Sequence, residues 1–158
     1  MIWDCKPIDT PIAKGEGLSH RLCPRTPQEK EQMKHVPYVS TVMSWMYAMM
    51  CTRPDICYVV GMVSRYKSNP GQARWKAVKR ILRYLKEIAD YTLSYYGKDL
   101  QLKGYSNADR GGDLNERKST SEFVFLPNND TMCWSSKKQK CIALSTMETE
   151  FMALSVAV

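Results

Sequence analysis

The sequence predicts an α+β fold, helical first and sheet afterwards, from three observations. Apolar residues recur at helical spacing up to about residue 90, and beyond it they alternate with a period of two. Charge changes at the same place: residues 1–90 carry 15 Lys and Arg against 8 Asp and Glu, whereas residues 91–158 carry 8 against 8. The whole net charge of +7 therefore sits in the first piece, which invites an anionic partner such as nucleic acid.

At 158 residues and 44% hydrophobic content, the chain has enough apolar material for one domain or two small lobes. No apolar run approaches the length of about 18 residues that a membrane helix needs, and the stretch Val42 to Cys51 suits a buried helix. The first residues, MIWDCKPIDTPIAKG, have neither the basic nor the apolar region of a secretory leader. No membrane partner is expected, and the protein reads as intracellular. Six cysteines form no Cys-x-x-Cys pair and accompany only His20 and His35, which argues against zinc and for reduced thiols.

Residues 1–36 read as an extended arm, since Pro7, Pro11, Pro24 and Pro27 interrupt it and apolar periodicity is weak. Residues 37–90 read as three helices. In the first, Val39, Val42, Met43, Met46, Met49 and Met50 recur at helical spacing. Thr52 and Pro54 then open a second through Ile56, Val59, Val60 and Val63. After the turn Ser68 to Gly71, a third carries an apolar stripe of Trp75, Val78, Leu82 and Leu85. Arg74, Lys76, Lys79, Arg80, Arg83 and Lys86 lie off that stripe and make one basic face.

Residues 91–158 read as sheet followed by a helix. One hairpin is expected to turn at Gly97 to Asp99 and another at Pro127 to Asp130. The ending CIALSTMETEFMALSVAV joins a short apolar strand to a helix, with Ser145 and Glu148 in the spacing of a capping box.

Several stretches carry a family likeness. In order they are CKPIDTPI, CTRPDICYVVGMVSRYKSNPG, WKAVKRILRYLK, GYSNAD, RKSTSEFVF and CWSSKKQKCIALSTMETEF. Together they resemble the C-terminal part of the polyprotein of copia-type LTR retrotransposons, from the end of the reverse transcriptase into the RNase H domain. The resemblance implies a helical thumb or connection segment over 37–90, followed over 91–158 by a truncated RNase H-like mixed sheet with one helix. No aromatic-x-Asp-Asp polymerase motif is present, so no DNA synthesis is expected from these residues.

RNase H chemistry holds two magnesium ions with carboxylates, which must be anionic oxygen donors. By the resemblance, the essential first aspartate falls on Asn107, whose amide is neutral, and the family glutamate falls on Glu150. A third ligand would lie beyond Val158. Arg110 and Glu122 also depart from the family pattern. A non-catalytic, retrotransposon-derived fragment is therefore expected, with no metal and no cofactor. Weak, sequence-independent nucleic-acid binding through the basic helix is the activity left to it.

A second reading starts from Arg80, Ile81, Leu82 and Arg83, which fit the R-x-L-R pattern of host-translocated effectors of downy mildews. Copia-like chains of this kind also resemble secreted RxLR effectors. That resemblance implies secretion into plant cells, a host protein as partner, the host nucleus as a destination, and suppression of host defence. Here, however, the motif lies inside a predicted helix with no leader before it.

Overall fold

A computed structural model describes residues 5–13, 15, 17–95, 101–128 and 130–158. The chain forms two compact units, Met1–Tyr91 and Thr92–Val158. Among the described residues there are five α-helices and one three-stranded antiparallel sheet, so the α+β class holds. No helix there is long and apolar enough to cross a membrane.

The first unit begins with the arm, which is more structured than its prolines suggested. Residues His20–Leu22 form a 3-10 turn, and helix α1 spans Pro27–Lys34. Its start follows from Thr26, whose side chain accepts the Glu29 N–H at 3.2 Å while Glu29 accepts the Thr26 N–H at 3.2 Å. Proline at the first helical position costs nothing, because that N–H has no intrahelical partner. The helix escaped the periodicity test because only Met33 of its residues is buried.

Helix α2 (Tyr38–Cys51) buries Tyr38, Val42 and Trp45. Val39, Met43 and Met50 of the expected stripe are exposed instead, so the buried face is rotated from the one that methionine spacing suggested. The tyrosine and tryptophan bury more area than a methionine and fix the rotation. Pro54–Ile56 then form a 3-10 turn that runs into α3 (Cys57–Ser64), where Val59, Val60 and Val63 are buried. Tyr38 donates its hydroxyl to the Val63 carbonyl at 2.8 Å. Burial pushes the Tyr38 phenol up to about 12.

Helix α4 (Gln72–Glu87) turns Arg74, Ala77, Val78 and Ile81 into the core. Placing Arg74 on the basic outer face is therefore corrected. Its guanidinium lies 3.8 Å from the centre of the Tyr66 ring and donates to the carbonyls of Ser19 at 2.6 Å and Asn69 at 3.3 Å. A guanidinium spreads its charge over a plane, so stacking and two carbonyls can replace much of its hydration. Tyr66 adds a hydroxyl bond to the Leu18 carbonyl at 2.8 Å. Residues 18 and 19 are thus fastened to the helical core by one ring and one cation.

In the second unit the strands are β1 (Leu102–Ala108), β2 (Thr120–Pro127) and β3 (Cys133–Lys138), ordered β1-β2-β3. The hairpin joining β2 to β3 turns where the sequence placed it, with Asn128 at a φ of +52°. The turn expected at Gly97 to Asp99 lies outside the described residues. Residues 92–95, its expected leading arm, are not strand. Residues 141–144 are not strand either, and Ile142 and Leu144 are exposed; an apolar run needs a neighbour to pair with before it becomes a strand. Helix α5 (Thr146–Ala157) starts at Ser145, whose side chain accepts the Glu148 N–H at 3.1 Å. Glu148 reaches back to the Leu144 N–H at 2.8 Å, one residue earlier than a strict capping box.

Candidate functional site

Strand β1 carries Asn107 one residue from its end. In the register, Asn107 stands opposite Glu122, which stands opposite Ser136. Directly opposed residues share a face, so the three form a polar row across the sheet. Ser136 donates its hydroxyl to Glu122 Oε1 at 2.9 Å. Ala108 and Ser121 lie on the other face, where the Gln139 amide donates to Ser121 Oγ at 2.9 Å and to the Thr149 carbonyl of α5 at 3.0 Å. Glu150, the next residue of α5, is exposed. No hydrogen bond or ion pair joins Asn107 to Glu150 among the described residues.

The acidic residues after Asn107 have local work. Asp109 donates its N–H to the Thr120 carbonyl at 3.1 Å, and its carboxylate accepts the Thr120 N–H in return. This clasps the end of β1 to the start of β2. The Gly-Gly pair follows from that clasp: a Cβ on Gly112 would fall within the Asp109 carboxylate, and Gly111 holds a φ of +63°. Asp113 is buried, accepts the Asn115 N–H at 3.0 Å and pairs with Lys138 Nζ at 2.9 Å. Glu116 takes Lys118 and Lys138, each at 2.6 Å. Those two lysine hydrogen bonds pull the Glu116 carboxyl down to about 2. These roles of Asp109, Asp113, Glu116 and Lys138 escaped the sequence reading. Only the Asp-x-Asn spacing of an Asx turn at residues 113–115 advertised one of them.

In the first unit, the outer face of α4 gathers Lys76, Lys79, Arg80 and Arg83 on one cleft of about 570 Å³, with Cys5 and Ala13 of the arm opposite. Lys76 and Lys79 make no hydrogen bond or ion pair among the described residues. Arg80 donates Nε to the Thr10 carbonyl at 3.1 Å and Nη2 to Thr10 Oγ1 at 2.8 Å. Arg83 donates Nε to the Lys6 carbonyl at 2.6 Å, and Lys86 reaches the Cys5 carbonyl at 3.4 Å. Five of the six predicted basic residues thus share the outer side of α4, and Arg74 does not join them. Of the R-x-L-R stretch, Ile81 is 0% exposed and Leu82 is half-buried. The motif is built into the helix core on one side and held by the arm on the other.

No protein-family model and no solved structure matches the chain. Among curated proteins it is 49% identical over 150 residues to the "Retrovirus-related Pol polyprotein from transposon TNT 1-94" of Nicotiana tabacum. That match covers 95% of this chain and 11% of the polyprotein. It is 35% identical over 147 residues to the corresponding polyprotein from transposon RE2 of Arabidopsis thaliana, covering 92% of this chain and 10% of that one. It is also 46% identical over 126 residues to "Secreted RxLR effector protein 161" of Plasmopara viticola, covering 79% of this chain and 89% of that protein. The chain thus spans about a tenth of the Pol polyproteins it matches and most of the Plasmopara protein.

Proposed function

The chain belongs to the copia-type retrotransposon Pol family, and from that premise we propose that it is a non-catalytic, RNase H-like segment that binds nucleic-acid backbone through α4. The observation that carries the reading is the place of Asn107. A two-magnesium nuclease needs anionic oxygens converging on the ions. At the family's first ligand position the strand offers a neutral amide, and Asp109 on the same strand face is engaged by the Thr120 N–H. Among the described residues, no three His, Cys, Asp or Glu side chains gather where one ion could take them. The donor set does not fit the metal pair. The order of three antiparallel strands and then a helix supports an RNase H-like fold for residues 91–158, and a thumb or connection origin suits the helices of 37–90.

The cations of α4 supply the remaining chemistry. Lys76 and Lys79, with no carboxylate beside them on the cleft among the described residues, suit phosphate oxygens and read no base edge. An RNA/DNA hybrid incubated with magnesium is expected to stay intact while its binding weakens as salt rises. Cleavage that disappears on Glu150→Gln would contradict the non-catalytic reading.

The match to 89% of the Plasmopara effector favours a second reading: a secreted effector that acts on a host protein, in the host nucleus, and suppresses plant defence. This reading rests on likeness along the chain, since Arg80 to Arg83 is a helical, half-buried segment and not a flexible signal. Expression in leaf cells followed by a cell-death elicitor tests it. Suppressed death is expected, and undiminished death would remove the reading.

A further inference from the structure

The arm and α4 meet in an unusual way. Arg80 and Arg83 of the helix donate to the carbonyls of Thr10 and Lys6 and to the Thr10 hydroxyl, with no carboxylate among those acceptors. A carbonyl is a neutral acceptor and leaves the guanidinium charge uncompensated, whereas a phosphate oxygen brings the opposite charge to the same planar donors and can take two of them at once. The arm therefore occupies with weak acceptors the donors that a phosphate chain would bind more strongly. Lys76 and Lys79 stay open on the same cleft, where an incoming polyanion would make its first contacts.

We propose that residues 5–10 form a displaceable strap over α4, which competes with a phosphate chain for Arg80 and Arg83 and so sets how many cations bind it. The proposal rests on the nucleic-acid reading of α4 given above. With the strap down, Lys76 and Lys79 carry the contact. With the strap lifted, Arg80 and Arg83 join them on the same cleft. The strap's hold is local: two bonds at Thr10, one at Lys6, one at Cys5, and Ile12 packed against the core. Each can be weakened without touching the cations.

The test uses the full chain, Ile12→Ser and Thr10→Ala, each checked for an unchanged helical spectrum. Solvent exchange of the Arg80 and Arg83 Nε–H protons is read by NMR without nucleic acid, and affinity for an oligothymidylate is measured over a salt series. Slow Nε–H exchange is expected in the native chain and faster exchange in Ile12→Ser. That variant should also bind more tightly, with a salt slope steeper by about 0.7 for each cation released; Thr10→Ala should fall between. Fast Nε–H exchange in the native chain would overturn the strap whatever the binding data. Slow exchange with equal slopes in all three proteins would overturn the competition and leave nucleic-acid binding standing. Absence of binding by every protein at the lowest salt would overturn both the competition and the nucleic-acid reading.

Discussion

Asn107 stands directly across the β1–β2 ladder from Glu122, so the row Asn107, Glu122, Ser136 holds one carboxylate. Asn107→Asp would set two carboxylates face to face. Like charges directly opposed in a sheet cost about 0.2–1 kcal/mol, so urea denaturation at neutral pH should find the variant less stable by that amount. The same variant is expected to leave an RNA/DNA hybrid uncut, because Asp109 stays tied to Thr120.

The clasp at Asp109 predicts a coupling. Gly112→Ala drives a methyl group into the Asp109 carboxylate and should cost about 1–3 kcal/mol, as overpacking does. Asp109→Ala alone leaves the Thr120 N–H short of an acceptor and should cost a similar amount. In the double variant the collision is gone. The two losses should then sum to more than the double variant's loss, by at least about 0.5 kcal/mol, in a thermal or urea series.

Glu116 predicts the acid limit of the second unit. Hydrogen bonds from Lys118 and Lys138 hold its folded carboxyl down to about 2, against 4.5 for an unperturbed group. A depressed pKa stabilises the fold above the unfolded value. That contribution is present above pH 4.5 and is lost as pH falls from there toward about 2. Glu116→Gln should flatten the stability profile over this window. Because Glu116 is exposed, added salt should flatten it too.

Arg74 predicts a stability effect with no binding effect. Arg74→Ala would leave the Ser19 and Asn69 carbonyls without their donor and open a gap beneath Tyr66. A loss of about 2–5 kcal/mol is expected. Arg74→Lys should not rescue it, since an ammonium neither stacks on the ring nor spans both carbonyls. The salt slope of nucleic-acid binding should be unchanged in whatever fraction remains folded.

Much of the architecture is legible in the sequence because it follows from local rules. The cap at Ser145 and Glu148, the turn at residue 128 and the change of period near residue 90 all depend on neighbours within a few positions. The box of Thr26 and Glu29 obeys the same local rule, but α1 buries so little that no apolar stripe marks the helix it opens. What was not legible depends on partners far along the chain. Arg74 looks like any other cation of a basic helix until Tyr66, Ser19 and Asn69 are folded around it. Asp109 looks like any other acidic loop residue until Thr120 arrives from the next strand. Arg80 and Arg83 read as free cations, since nothing local reveals that carbonyls 70 or more positions away accept from them.

The proposed function assigns binding to the outer face of α4 and no chemistry to the strand bearing Asn107. The most direct measurement is the affinity of the full chain for an RNA/DNA hybrid across a salt series with magnesium present, beside Lys76→Ala/Lys79→Ala. The hybrid should stay intact throughout, its affinity should fall as salt rises, and loss of the two lysines should make that fall shallower. A salt-independent affinity, or a slope unchanged by the loss of both lysines, would contradict the proposed function.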